Sequence, residues 1–353
     1  MEHLVKGTRL LEMNTGQPEP DLIAQAASLL QQGEVVAFPT ETVYGLGANA
    51  TDAVAVAKIY AAKGRPSDNP LIVHVADRAS VSRIVTAVPP KAELLMERFW
   101  PGPLTLVLPK LPVVPDSVTG NLPTVAVRMP DHPVALALIA AAGVPVAAPS
   151  ANVSGRPSPT AAEHVLEDMA GRIPMVIDGG ETGVGLESTV LDVTVDPPVL
   201  LRPGGVTLEQ LQEVIGTVVD KSGHAAESGE APRSPGMKYK HYSPKAPVVL
   251  VDGSVLHMQA KIADLIYEYQ EEGRRVGVMC SAESRGVYQA PVILEYGSRA
   301  NLRGVAGDLF STLRAFDRHG VDVILVEGVP TGGIGLAIMN RLTRAAGGRV
   351  VTV

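Results

Sequence analysis

The chain has 353 residues, more than one apolar core ordinarily organises, so two domains are expected. Hydrophobic residues make up 46% and aromatic residues only 4%, which points to interiors of Val, Leu, Ile and Ala, the composition of buried sheets flanked by small-residue helices, and so to an α/β class. A formal net charge of -7 argues against a chain whose main affinity is for phosphate backbones, and the single cysteine, Cys280, excludes an internal disulfide and a cysteine-rich metal cluster.

The opening MEHLVKGTRLLEM contains no apolar run of signal-peptide length, and no later segment approaches the roughly 20 apolar residues that span a bilayer, so a cytoplasmic protein without membrane contact is expected. From Asp21 to Leu30 apolar residues recur at helical spacing, with Pro20 and Asp21 opening the helix and Gly33 lying just past its end. A buried strand, Val35 to Phe38, follows. Further strands are expected at Leu71 to Val75, Leu104 to Leu108, Thr124 to Val127, Val144 to Ala148, Met175 to Ile177 and Thr189 to Val193, with helical patterns between several of them. No helix-length pattern separates Leu104–Leu108 from Thr124–Val127, so some neighbours are antiparallel and the sheet is mixed rather than Rossmann-like. A strand at Val199 to Pro203 and a helix at Leu208 to Ile215 close a first domain, 1–215.

Between 216 and 247 the periodicity fails in a polar stretch rich in Gly, Ser and Pro, which reads as a linker. Its second half, Ser234 to Pro244, places Met237, Tyr239, His241 and Tyr242 among lysines, and a passive tether has no use for aromatics. From 248 to 353 strands and helices alternate: strands at Val248–Val251, Val276–Met279, Val292–Leu294, Val323–Val326 and Arg349–Val353, helices at Leu256–Gln270, Leu302–Arg318 and Leu336–Ala346. That pattern predicts a second, smaller α/β domain on a mainly parallel, Rossmann-like sheet.

Three groups of residues could carry chemistry. PTETVYGLG, Pro39 to Gly47, leaves a buried strand with two threonines, a carboxylate, a tyrosine and two glycines; it is either a binding loop or a polar turn. KGRPSDNPL, Lys63 to Leu71, offers a point charge and a planar fork two residues apart, with Pro66 and Pro70 stiffening the loop that holds Asn69; it is either a phosphate clamp or a solvated basic helix end. The third group is dispersed: Arg128, then Ser150 and Asn152, then Arg156 to Thr160, then Glu187, Ser188 and Thr189, then Arg202. Singly these can be caps and turns; together they put phosphate- and carboxylate-capable groups at the ends of several buried strands. There is no GxxxxGK[ST] loop, no GxGxxG opening a helix, no HExxH and no GxSxG elbow.

These motifs resemble the YrdC-like family in its long two-domain form. PTETVYGLGANA, KGRPSDNPLIVHV, WPGPLT, TVAVRMPDHP, AAPSAN, SGRPSPT, ESTV and LLRPG occur in the family's order, and SPGMKYKHYSP looks like its linker signature, so the resemblance runs from about Leu22 to Val353. It implies a twisted mixed sheet with flanking helices enclosing a basic cavity, and a linker that folds over the cavity mouth as a lid. It also implies synthesis of L-threonylcarbamoyl-AMP from L-threonine, bicarbonate and ATP with loss of pyrophosphate and the help of Mg²⁺. Carried over by motif, Thr42, His74, Arg128, Ala148 and Ser188 would hold threonine. Arg65, Asn69, Thr124, Ser150, Ser158, Arg202 and Pro235 would hold ATP, with Lys63 and Arg65 at the reacting phosphates; the metal ligands stay unassigned. The product would pass to a separate transferase complex that modifies adenosine next to the anticodon of certain tRNAs.

Two alternatives compete with that reading. A first domain that grips double-stranded RNA through Lys58, Lys63, Arg65 and Arg128 without catalysis is opposed by the overall acidity and the lack of stacking aromatics, which leave room for no more than a weak RNA contact beside the enzyme reading. Carbamoyl transfer from carbamoyl phosphate, the chemistry of larger proteins that contain a YrdC-like domain beside a zinc finger, is opposed by the single cysteine.

Overall fold

The computed structural model describes residues 2–223 and 241–353. They form two compact units, 2–154 with 158–223, and 155–157 with 241–353.

In chain order the first unit contains β1 (Glu2–Val5), β2 (Thr8–Glu12), α1 (Pro20–Gln31), β3 (Val36–Phe38), β4 (Gly45–Asn49), α2 (Ala53–Lys63), β5 (Ile72–His74), α3 (Pro90–Phe99), β6 (Leu104–Pro109), α4 (Asp116–Thr119), β7 (Thr124–Arg128), α5 (Pro133–Ala142), β8 (Val146–Ala147), α6 (Ala162–Met169), β9 (Met175–Asp178), β10 (Thr189–Asp192), β11 (Val199–Arg202), α7 (Leu208–Ile215) and β12 (Val219–Asp220). The strands make one 12-stranded sheet in the order β1-β2-β9-β3-β4-β8-β5-β7-β6-β10-β11-β12. It is mixed, as expected. β5 and β7 are parallel, whereas β6 and β7 are antiparallel with Leu106 opposite Val127.

Local chemistry accounts for the element ends. Pro20 sits in the first turn of α1, where a missing N–H costs nothing, and the chain leaves that helix through Gly33 at φ 75°. Asp52 caps α2 by accepting from Val54 N and Ala55 N, and Gly64 ends it in the left-handed conformation. The apolar faces of α1 and α5, among them Ile23, Leu30, Leu138 and Ile139, close over Val36, Phe38, Met175 and Ile177 of the sheet.

Three features depart from the sequence reading, the shortest being β12, which pairs parallel to β11 inside the stretch 216–247 that was expected to be linker. Glu2–Val5 and Thr8–Glu12 pair as a hairpin that docks β2 on β9, although no strand was expected there. Gly45–Asn49, expected to be loop, is a strand antiparallel to β3, with Ala37 opposite Leu46. Glycine's low strand propensity hides it. Its glycines answer a packing demand instead: a Cβ on Gly47 would stand 2.7 Å from both Phe38 and Val146.

The second unit contains β13 (Val248–Asp252), α8 (Val255–Glu271), β14 (Val276–Cys280), β15 (Val292–Glu295), α9 (Leu302–His319), β16 (Val323–Glu327), α10 (Gly335–Ala346) and β17 (Val350–Thr352). All pairings in its five-stranded sheet, ordered β15-β14-β16-β13-β17, are parallel. Such a sheet buries both faces, which is why its strands read as unbroken apolar runs. Cys280 is wholly buried, and burial pushes its thiol up to about 12, so it behaves as a small hydrophobe. The carboxylate of Glu327 accepts from Ser281 N at 2.9 Å, Ser281 Oγ at 3.0 Å and the Tyr288 hydroxyl. The stretch 155–157 belongs here too: Arg156 pairs with Asp317 at 2.9 Å and Arg314 donates to Pro157 O at 2.6 Å. Tyr242 stacks on Phe310 with ring centroids 5.1 Å apart, which gives one linker aromatic a packing role.

Candidate active site

The loop between β3 and β4 is rigid because one hydroxyl ties it. Thr40 Oγ1 donates to Val43 O at 2.6 Å, accepts from Thr42 N and Val43 N, and lies 2.8 Å from Thr42 Oγ1. Tyr44, fully buried, donates to Gly180 O at 2.6 Å, and burial raises its pKa so that it stays a donor. Tyr44 O accepts from Ala151 N, and Leu46 N donates to Pro149 O. Those bonds bring Thr42 and Ser150, more than a hundred positions apart, into one framework.

Register does the rest on the sheet. His74 and Arg128 end neighbouring parallel strands and lie directly opposite each other, hence on the same face. Both are 4% exposed. Burial, with Arg128 as the next contributor, holds the His74 imidazole down at about 3, so it is neutral, and its Nδ1 has no hydrogen-bond partner among the described residues. Arg128 donates through Nε to Gly102 O at 3.2 Å and through Nη2 meets Glu41 Oε2 at 2.6 Å. One step further across the sheet Thr105 Oγ1 lies 2.7 Å from Ser188 Oγ. Arg202 clasps Ser188 through its carbonyl, with Nε at 3.1 Å and Nη2 at 2.9 Å, and Ser158 Oγ donates to Glu187 Oε1 at 2.5 Å.

A second set gathers at the other ends of β5 and β7, roughly 13 Å away along β7 at 3.3 Å per residue. Lys63 closes α2 yet is only 1% exposed, so it is not the solvated helix end that the sequence allowed. Its ammonium donates to Ser150 O and Asn152 O, each at 2.5 Å. Arg65 Nη2 donates to Asn69 O and Pro70 O. Asn69 is 1% exposed, and its Oδ1 has no partner among the described residues. The Tyr60 hydroxyl pins this loop by donating to Ser117 O at 2.7 Å, with its pKa pushed up to about 12 by burial. Thr124 opens β7, half-buried. Ala148 lies between the two sets and spends its N–H on Ile72 O, which leaves its carbonyl as the backbone group available to a ligand. Pro235 lies outside the described residues.

The sequence reading assigned no role to Glu41, Thr40, Tyr44 or Thr105. The first three stand inside the PTETVYGLG motif; Thr40 ties its own turn through Thr42 and Val43, whereas the partners of Glu41 and Tyr44, Arg128 and Gly180, come from a distant strand and turn that nothing local identifies.

Fold and site define an α/β small-molecule-binding protein that gathers buried arginine, lysine, histidine and hydroxyl groups at the strand ends of its first sheet. A family model covering Sua5, YciO and YrdC proteins, described as telomere recombination, matches residues 28–204, and one described as threonylcarbamoyl-AMP synthase, C-terminal domain, matches 206–347. The chain is 57% identical over 342 residues to the threonylcarbamoyl-AMP synthase of Bacillus subtilis, covering 96% of each. It is 52% identical over 328 residues to that of Pyrococcus abyssi, covering 93% of this chain and 95% of that one. The crystal structure of P. abyssi Sua5 complexed with L-threonine superposes with a TM-score of 0.92 at 50% identity, covering 98% of this chain and 99% of that one. The chain belongs to the Sua5, YciO and YrdC family, in the form that carries the Sua5 C-terminal domain.

Proposed function

We infer that the chain is a nucleotidyltransferase that condenses L-threonine, bicarbonate and ATP into L-threonylcarbamoyl-AMP, releasing pyrophosphate, as the first step of threonylcarbamoyladenosine formation in tRNA. The observation that carries this reading is the near full-length match to relatives named for this activity, one of them solved with L-threonine bound.

In this reading Arg128 takes the threonine carboxylate as a fork, with Thr42, neutral His74, Ser188 and the Ala148 carbonyl around the rest of the amino acid. The amine attacks bicarbonate carbon, water leaves, and a carbamate oxygen then attacks the α-phosphorus of ATP in line with the departing pyrophosphate. No protein nucleophile is required; positioning and charge neutralisation suffice. Lys63 and Arg65 supply the charge, while Asn69, Thr124, Ser150, Ser158 and Arg202 hold the nucleotide. Pro235 would touch it from the linker, 216–247, acting as a lid between a catalytic domain, 1–215, and a C-terminal domain, 248–353. Among the described residues no group of three His, Cys, Asp or Glu could cage a metal. A Mg²⁺ ion on the triphosphate would supply charge neutralisation there. No helix among the described residues is long and apolar enough to cross a membrane. We place the enzyme in the cytoplasm, its product consumed by a separate tRNA-modifying transferase complex, with at most a weak RNA contact of its own.

The test is pyrophosphate release by purified protein with threonine, bicarbonate and Mg²⁺ omitted in turn. Release should require all three. Release that continues without threonine overturns the substrate assignment.

A further inference from the structure

Glu41 has no part in the reading above, yet its carboxylate lies against the guanidinium that is read as the substrate's carboxylate ligand. Oε2 stands 2.6 Å from Arg128 Nη2 as an ion pair, and both Glu41 oxygens and that Nη2 are out of reach of solvent and without a hydrogen bond among the described residues. Its backbone is fixed as well, since Glu41 O accepts from Val184 N at 2.7 Å and the hydroxyl-tied turn of Thr40 and Thr42 flanks it. On the arginine side, Nε is committed to Gly102 O at 3.2 Å. Nε and Nη2 form one edge of the guanidinium plane, so that edge carries one hydrogen bond and one close ion pair, while the Nη1 end is left to a ligand.

Burial, the Gly102 O bond and the adjacent charge restrict the last torsions of this arginine, and the counter-charge is what keeps a 4% exposed cation tolerable. The other titratable groups at this place do not compete for it. His74 is held neutral, and His132 is lowered by burial, with the pull of Glu41 opposing.

We propose that Glu41 is a positioning residue that fixes the plane of Arg128 and thereby sets the fork that accepts the carboxylate of the amino-acid substrate. The proposal rests on the reading of Arg128 as that ligand. Glu41 acts through Arg128 and does not itself touch the substrate, so its effect should vanish when the arginine is gone.

The experiment compares Glu41→Gln, Arg128→Ala and the double variant by pyrophosphate release, measuring kcat and KM separately for threonine and for ATP. Arg128→Ala should raise the threonine KM by roughly 30-fold or more and Glu41→Gln by about 10-fold, with the ATP KM moving less than about 3-fold in either. The double variant should match Arg128→Ala within about 2-fold, the non-additivity of a residue acting through its partner. Glu41→Asp should recover part of what Glu41→Gln loses. Multiplying effects in the double variant would mean that Glu41 contacts the substrate directly, and a lowered threonine KM in Glu41→Gln would make it an internal competitor for the fork; either overturns the proposal. If Glu41→Gln does not fold, the double variant, which leaves no unpaired buried cation, still decides between equality with Arg128→Ala and a larger loss. An Arg128→Ala enzyme with an unchanged threonine KM instead overturns the reading of the pocket, and this role with it.

Discussion

Replacing His74 with glutamine should flatten the acid limb of the first unit's stability. In the folded protein the imidazole is held at about 3, well below its ordinary 6.5, chiefly because burial disfavours its charged form. Between those values the unfolded chain takes up a proton that the folded unit refuses. Stability is therefore complete above pH 6.5 and drains away as pH falls toward 3, at up to about 1.4 kcal/mol per pH unit for this one group. Other groups titrate in both proteins, so the difference between wild type and His74→Gln isolates the histidine. The reporter is built in: Trp100, the chain's single tryptophan, is 7% exposed, donates to Leu104 O at 2.7 Å and lies in the first unit. Urea unfolding followed by its fluorescence at several pH values from 4 to 7 should give a wild-type free energy that falls more steeply with acid, by up to about 1.4 kcal/mol per pH unit. Parallel pH profiles would refute the reasoning, as would a His74 resonance that titrates near 6.

Two further substitutions test the frame of the site. Gly47→Ala places a Cβ 2.7 Å from Phe38 and Val146 in a closed interior, so it should cost about 1–3 kcal/mol in the same urea assay; a change within about 0.5 kcal/mol would mean that β4 shifts freely. Lys63→Met strips two buried carbonyls, Ser150 O and Asn152 O, of their donor and should destabilise the first unit by about 2–5 kcal/mol while raising the ATP KM more than the threonine KM, read by unfolding and by pyrophosphate release.

The parts of the fold that announce themselves in the sequence are those whose causes are local. Pro20, Asp21 and Gly33 bracket a helix that runs Pro20–Gln31, and the unbroken apolar runs of Val248–Asp252, Val276–Cys280 and Val323–Glu327 are what a parallel sheet buried on both faces requires. What stays hidden depends on partners far along the chain. The β1–β2 hairpin has only a short apolar alternation, and its order comes from lying beside β9. β4 is spelled with glycines, so propensity argues against it until Phe38 and Val146 are in place. The site divides in the same way. Its residue types were visible at strand ends, but that His74 faces Arg128, or that Lys63 reaches the segment after β8, follows from register and from the path of the chain.

The partners of the site's cations, near and far along the chain, share a character that bears on what the site can bind. Lys63 donates to Ser150 O and Asn152 O, Arg65 to Asn69 O and Pro70 O, Arg202 to Ser188 O, and Arg128 to Gly102 O. A backbone carbonyl fixes the direction of a cation through its dipole but brings no formal charge to cancel it, whereas a carboxylate does both. Cations framed by such bonds are fixed in direction before any ligand arrives, which is the preorganisation that phosphate and carboxylate binding rewards. Arg128 adds to its carbonyl partner the carboxylate of Glu41, 2.6 Å from Nη2. If Arg128 is the carboxylate ligand proposed above, that arrangement bears on selectivity: an arginine partly balanced by a fixed carboxylate favours a ligand that carries its own positive charge beside its negative one over a bare polyanion such as pyrophosphate.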